Sequence, residues 1–560
     1  VDGVLSKNKN KTRRKKMKRL IALLLAVCMV LAMSGCGNEP AVDDTPDNTA
    51  EATDGAQAGN ESGIKRGGVL VMRRAGVTPI NPLQTIAPQG DGVVYAMFFE
   101  CLTWFDENDY TAQPWLAESW EYSDDSLQLD MKLIEDANFC DGTPLNAEAV
   151  KKTFDFYLDE ETGHIQRAYI QNVSSVEVVD EYTVRFNFSE PDSGFLTALS
   201  QPIGYIMAPA AIDKYKETQD PEVFAREGGS GPFVLESMLD GESYTAVKNT
   251  NYYRMGEDGQ PLPYLDGAVV MVIGDTAVAS ANLQSGDIDL IDRVQSVSDI
   301  ETLSADPNIT MLDMAFAMDH LLYMNTTKAP FDDIRVREAM CYAVDRQDLI
   351  DTLAGGDGYI TPTIILPNQT WYSDDIIPTY TYDPEKSREL LSEAGYPDGV
   401  TVELYYGTYS NMQQISELIQ SQAEAAGFNI ELVGVDGATN KQIWASYNED
   451  APAGMRLNDI GQPKASPYIQ LEYIFGPDAL QNCSKWFDPR VGELLDQIRA
   501  ETDQEKRDEL CFEFQELQAE FIPICMLHTV PGVAAMRSWV EGVQFNGEGL
   551  PYVTEAWLNK

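Results

Sequence analysis

Histidine is nearly absent, with His164, His320 and His528 the only three among 560 residues. No two cysteines fall at C-x-x-C spacing either, so the chain carries no zinc, haem or thiol-redox motif. H-E-x-x-H, G-x-S-x-G and the phosphate-cradling Walker loop are missing as well. Gly228-Gly229-Ser230-Gly231-Pro232 stops one glycine short of a nucleophile elbow. The reading is a chain that catalyses nothing and holds no cofactor; a surface hydrolase built on carboxylates that leave no motif is the enzymatic alternative.

Basic residues are the next shortage. There are 40 Lys and Arg against 89 Asp and Glu, a formal charge of −49. Nine of the basic residues precede Ser34; without them and Asp2 the balance is 31 against 88, or −57. Such a surface repels phosphate backbones, because nucleic-acid binding needs a basic stripe to release counterions, and nucleic acid is excluded as a partner. The charge reads first as a solubility device, with a preference for cationic ligands as the alternative.

Long apolar runs are lacking too. Leu20 to Met33 is a fourteen-residue stretch without a charge, whereas a helix needs about 20 apolar residues to cross ~30 Å of hydrocarbon. Its context is a secretory signal: basic residues from Lys7 to Arg19 precede it, and Met33-Ser34-Gly35-Cys36 closes it. That ending resembles a bacterial lipobox, with Met33 where Leu is usual, which implies Cys36 as lipid anchor and mature N-terminus. Met17 reads as a more natural start than Val1. From Gly37 to Gly63 there is no aromatic, Leu or Met, so the segment cannot offset the entropy of folding and reads as a tether spanning roughly 30 Å.

Beyond the tether the chain is rich in folding signals, and its length calls for two or three domains. Leu127, Leu129, Met131 and Leu133 alternate with polar neighbours, as do Val184, Phe186 and Phe188, which a turn at Asp180-Glu181 joins to Val176 and Val178 in a hairpin. Asp383-Pro384 starts a helix that Gly395 stops, and Thr502-x-x-Glu505 forms a capping box for a helix to Glu520. Further helices are expected from Asn146, Asp333, Asp345, Met412 and Pro489. Interleaved strands and helices give mixed α/β layers. The cysteines after the tether, Cys101, Cys140, Cys341, Cys483, Cys511 and Cys525, sit largely in apolar runs and read as mostly free core thiols. Arg335 and Arg337 are expected to pair with carboxylates.

An ordered set of motifs covers the body. It includes Trp115-Leu116-Ala117-Glu118-Ser119-Trp120-Glu121, Phe139-Cys140-Asp141-Gly142-Thr143-Pro144, Gly229-Ser230-Gly231-Pro232-Phe233, Ser285-Gly286-Asp287-Ile288-Asp289 and Tyr382-Asp383-Pro384-Glu385-Lys386. Together these resemble the family 5 solute-binding proteins, the oligopeptide, dipeptide and nickel-binding components of bacterial ATP-driven (ABC) importers. The resemblance implies an α/β, two-lobed periplasmic-binding-protein-like fold with an extra domain inserted in the first lobe. It places lobe I at 64–96, 207–313 and 528–560, the inserted domain at 97–206 and lobe II at 314–527. It also implies a monomer at the extracytoplasmic face, held to the membrane by its lipid alone, that gives short peptides to an ABC permease. A binder of another solute, an oligosaccharide or a metal chelate, is the alternative on the same fold, with Tyr405, Tyr406, Tyr409 and Trp371 as the stacking surface.

By that resemblance Asp459 meets the ligand ammonium, and the backbone of Met455, Arg456, Leu457 and Asn458 supplies strand-addition bonds. Gln462 stands where a second acid is common. Trp444 is placed in the cleft and Asn81 at its edge. No Arg occurs in Gly407 to Gln414, where dipeptide binders hold the ligand carboxylate, which favours longer peptides.

Overall fold

Apolar alternation along the chain resolves into one large sheet and several small ones. The computed structural model describes residues 63–74, 80–84, 94–105, 111–239, 241–294, 296–367, 369–409, 411–462, 466–477, 479, 481–546, 549 and 551–560. The signal, Cys36 and nearly all of the tether lie outside them.

The large sheet has ten strands among the described residues. Their order is Phe428–Val435, Val400–Gly407, Met455–Gln462, Ile309–Met324, Ile524–Arg537, Leu290–Val294, Val69–Arg74, Gly267–Val272, Ser243–Lys248 and Phe233–Leu239. Two of these are unusually long: Ile309–Met324 has 16 residues and Ile524–Arg537 has 14, so the longer reaches roughly 50 Å against a usual strand of five or six residues. They run antiparallel, from Ile309 opposite Arg537 to Tyr323 opposite Ile524.

Their neighbours attach at opposite ends. Leu290–Val294 pairs with Val533 to Met536, whereas Met455–Gln462 pairs with Ala317 to Met324. The first half-sheet therefore hangs from one end of the long pair and the second from the other. Between them the register shifts, at Asp313/Ala317 and again at His320/Leu321, and such irregularities weaken a ladder and let it bend.

Each half has its own core. The first gathers residues from Leu70 to Leu558, including the four-stranded sheet of Ala117–Tyr122, Gln128–Leu133, Thr183–Phe188 and Val173–Asp180. Leu129, Met131, Leu133, Val184 and Phe186 are fully buried there, each contributing about 1.5–3 kcal/mol of burial. The second half packs helices Ile334–Tyr342, Pro384–Glu393 and Met412–Ala425 on its strands, and a further apolar cluster lies among helices Pro467–Phe475, Pro489–Ala500 and Gln504–Phe521.

The expected hairpin forms, with Val176 opposite Phe186 and Val178 opposite Val184. Asp383 caps the Pro384 helix by accepting from the Glu385 and Lys386 amides. Thr502 does not cap its helix: Asp503, one residue on, accepts from the Lys506 amide, the carboxylate being the stronger acceptor for the exposed amides. Arg335 pairs with Asp333, but Arg337 has carbonyls as partners, those of Phe331, Phe521 and Ile522. All six described cysteines are free.

Candidate functional site

Beside the register shifts of the long strand pair lies a cavity of about 610 Å³, within the ~300–1,000 Å³ usual for small-ligand sites. Its floor is the long pair itself, through Asp313, Met318, His320 and Val530 to Val533. Arg293, Val294, Val297 and Ile300 form the wall from the first half-sheet, and Asp459, Asn411 and the Leu353 to Tyr359 turn form the wall from the second. Local chemistry builds these walls. Ser296 accepts from the Asp299 amide and starts helix Val297–Ser304 directly after the Arg293 strand. Gly356 supplies the left-handed φ of 89° that the opposite turn requires. At Gly358 a Cβ would lie 3.1 Å from the Thr529 carbonyl, where Tyr359 and Thr529 exchange backbone bonds of 3.0 and 2.8 Å.

Asp459 sits on Met455–Gln462, opposite His320 in the ladder. Its carboxylate accepts from the Tyr409 hydroxyl at 2.7 Å. Burial, followed by the charge of Asp459, pushes the Tyr409 phenol far up, which keeps it a proton donor. His320 faces His528 across the long pair, rings stacked at 4.6 Å and 15°. The Nδ1 atoms of both rings are buried without a hydrogen-bond partner. Burial lowers both histidines; Asp459 partly opposes the effect at His320, and His320 and Arg346 reinforce it at His528.

The other sequence-derived residues distribute differently. Met455 and Leu457 belong to the apolar core of the second half. Arg456 is 2% exposed and donates to Cys483 Sγ at 2.8 Å, Asn458 Oδ1 at 2.7 Å and Gln481 Oε1 at 3.4 Å. Its side chain is thus spent inside the protein. The backbone of Met455 and Arg456 is flanked on one side by Met324 and Tyr323 and on the other by Leu404 and Tyr405. The edge without a strand partner among the described residues begins at Leu457 and runs to Gln462, so Asn458 and Asp459 lie on it and Met455 and Arg456 do not.

Trp444 has no exposed surface; it packs against the Tyr405 ring at 5.9 Å and lines no part of the cavity. Helix Gly437–Trp444 turns it into the core, which places it away from the expected cleft position. Asn81 does not line the cavity either. Its amide donates to the Tyr95 hydroxyl at 3.0 Å, and its side chain accepts from the Leu83 amide at 3.1 Å, closing a local turn. Of the aromatic surface, Trp371 and Tyr406 are 6% and 8% exposed, while Tyr409 is 40% exposed.

Sequence reasoning treated the three histidines as isolated and did not single out Arg293. His320 and His528 are 208 positions apart and meet only through the long pair, and a lone Arg at a strand end carries no motif.

The family model of the bacterial extracellular solute-binding proteins, family 5, matches residues 111–479. The glutathione-binding protein GsiB of Escherichia coli K12 is 32% identical over 324 residues, 57% of this chain and 60% of that protein. The chain thus spans about three fifths of that relative's length. Di/tripeptide-binding protein 1 of Pseudomonas aeruginosa is 27% identical over 493 residues, 82% of this chain and 89% of that one. Among solved structures, the periplasmic binding protein DppA from Helicobacter pylori, in complex with the peptide STSA, superposes with a TM-score of 0.74 at 23% identity. The match covers 89% of this chain and 99% of that one.

Proposed function

This chain belongs to the family 5 bacterial extracellular solute-binding proteins, and from that premise we propose that it captures short peptides outside the cell and delivers them to the permease of an ATP-driven importer. The observation that carries the peptide class is Asp459: a carboxylate on an unpaired strand edge, at the wall of a cavity that both half-sheets enclose. A peptide shares two things with every other peptide, its backbone and its termini. The edge from Leu457 to Gln462 offers backbone bonds to the first, and Asp459 offers a charge-assisted bond to the ammonium, worth about 1.5–3 kcal/mol. The relatives' names, glutathione-binding and di/tripeptide-binding, support the same class.

In this reading the two half-sheets are the lobes: 64–96, 207–313 and 528–560 for the first, with 97–206 inserted in it, and 314–527 for the second. The long strands are the hinge. Ligand binding shifts the population toward the closed form, and release follows at the permease. The protein acts as a monomer, turns nothing over and is tied to the membrane by lipid on Cys36. The burial of Trp371 and Tyr406 weighs against a stacking surface for sugar rings.

The test is mass spectrometry of whatever the protein retains when purified without added substrate and then denatured. Peptides of mixed sequence and narrow length are expected, and their loss in Asp459→Ala. A retained sugar or metal chelate removes the peptide class, and hydrolysis of an added labelled peptide removes the binding-only reading.

A further inference from the structure

Cys341 and Cys525 stand 184 positions apart in the sequence, yet their side chains hydrogen-bond to one another. Cys341 lies on helix Ile334–Tyr342 and Cys525 on the long strand Ile524–Arg537, each 1% exposed in the apolar core of the second half. Beside them is the buried Arg346 guanidinium, whose Nη2 donates to Cys525 Sγ at 3.4 Å. Its other bonds go to the carbonyls of Cys341 at 3.0 Å, Val344 at 3.3 Å, Tyr380 at 2.7 Å and Met526 at 2.7 Å. Carbonyls are neutral, so of these partners the Cys525 sulfur alone can become an anion. The bond from Cys341, aided by Arg346 and opposed by burial, draws the Cys525 thiol below its ordinary range, and the same bond pushes Cys341 up. Burial pushes Cys140, Cys483 and Cys511 up. A cavity of about 20 Å³ borders Cys341, Arg346 and both neighbours of Cys525, Ile524 and Met526. A water-sized molecule needs ~10–15 Å³, so a small peroxide fits there.

We propose that Cys341 and Cys525 are a redox modification site, a dithiol that a peroxide converts to a disulfide. Cys525 attacks the peroxide as the thiolate, the O–O bond breaks and a sulfenic acid forms. The hydroxide released takes up the proton that Cys525 lost and becomes water. Cys341 then attacks the sulfenic sulfur, an S–S bond forms, and the sulfenic hydroxyl leaves with the Cys341 proton as a second water. Two electrons pass from the sulfurs to one peroxide, and nothing else is consumed. The bond staples a helix of the second half to the long strand and closes a loop through most of that half, the kind of constraint that stabilises a fold against unfolding. The family is extracellular, and disulfides persist in that compartment. Neither cysteine lines the larger cavity, so the site is independent of the ligand class bound there.

The test is treatment of the full chain, reduced beforehand and kept native, with hydrogen peroxide. Remaining thiols are alkylated in denaturant and every cysteine is read by peptide mass spectrometry. A linked Cys341–Cys525 peptide is expected, lighter by two hydrogens than its two parts and separated by dithiothreitol, while Cys101, Cys140, Cys483 and Cys511 stay alkylated. Cys341→Ser should stop at a sulfenic acid on Cys525 that dimedone traps, and Cys525→Ser should leave Cys341 alkylated. Oxidised wild type is expected to unfold at a higher urea concentration than reduced wild type, a shift that Cys341→Ser lacks. Peroxide-treated wild type with all six of these cysteines alkylated overturns the proposal, as does oxidation spread over the six without a linked pair. A linked peptide that forms only in urea overturns it as well, because pairing in the unfolded chain needs no native contact. An unchanged urea midpoint after linkage overturns the staple.

Discussion

Acid should destabilise this protein through a residue far from the cavity in sequence, His164. The ring is 3% exposed, packs edge-on against Tyr157 at 4.7 Å and 69°, and accepts from the Gln166 amide through Nδ1 at 3.1 Å. That bond fixes the proton on Nε2, which is buried without a partner. Charging the ring would require Nδ1 to give up its acceptor role in an apolar site, and burial accordingly pushes His164 down to about 4. The unfolded chain, with a value near 6.5, takes the proton first. Stability is therefore full above about pH 6.5 and is lost as pH falls toward and through 4. At pH 5 the linkage works out to about 2 kcal/mol, and the full shift to about 3 kcal/mol. The assay is urea unfolding of wild type and His164→Asn at pH 7.5 and pH 5. Asn keeps an acceptor for the Gln166 amide and cannot titrate, so the stability difference between the two proteins should move by about 2 kcal/mol in favour of the variant on acidification. Carboxylates titrate equally in both and cancel. Parallel pH profiles for the two proteins would refute the reasoning.

Asp459→Asn should weaken binding of free-amine peptides about 10- to 100-fold in calorimetry, and leave N-acetylated peptides unaffected. Arg499→Met should cost about 3–5 kcal/mol in denaturant unfolding, because it strands Asp192, whose side chain is 4% exposed and bonds Arg499 at 3.3 Å; a loss below about 1 kcal/mol would show the pair to be dispensable. Burial outweighs the pull of Arg499 and holds the Asp192 carboxyl above its usual range, so the penalty should shrink as the buffer is acidified. Thiol titration of residues 63–560 should find six reactive groups after unfolding and almost none before. Five of the six are buried, and Cys140, the partly exposed one, is pushed up to about 11 by burial. Small-angle scattering should show a more compact protein with bound peptide than without; identical profiles would refute hinge closure.

Much of the fold was legible because the local signals are strong and agree with one another. The alternation at Leu129, Met131 and Leu133 needs only a pleat, and Asp383-Pro384 needs only the first turn of a helix. The capping box at Thr502 was misread because two neighbouring residues could cap, and the geometry chose the carboxylate of Asp503. Asp459 was singled out through its family context, and it lines the cavity. Trp444, singled out in the same way, does not, since a tryptophan at the end of a helix can face a cleft or a core equally well, and here the core around Tyr405 enclosed it.

By itself the sequence determined the acidic charge, the mixed α/β class and the family, all of which reside in composition, local periodicity or ordered motifs. Only the tertiary structure decided that the strands from Ile309 and Ile524 form one long pair, that His320 stacks on His528, and that Arg293 and Asp459 share a cavity from opposite half-sheets. These pairings join residues 166 to 228 positions apart, from Arg293 and Asp459 to Ile309 and Arg537. No local propensity encodes them, because sheet register is set by which apolar faces must be buried together once the whole chain has folded.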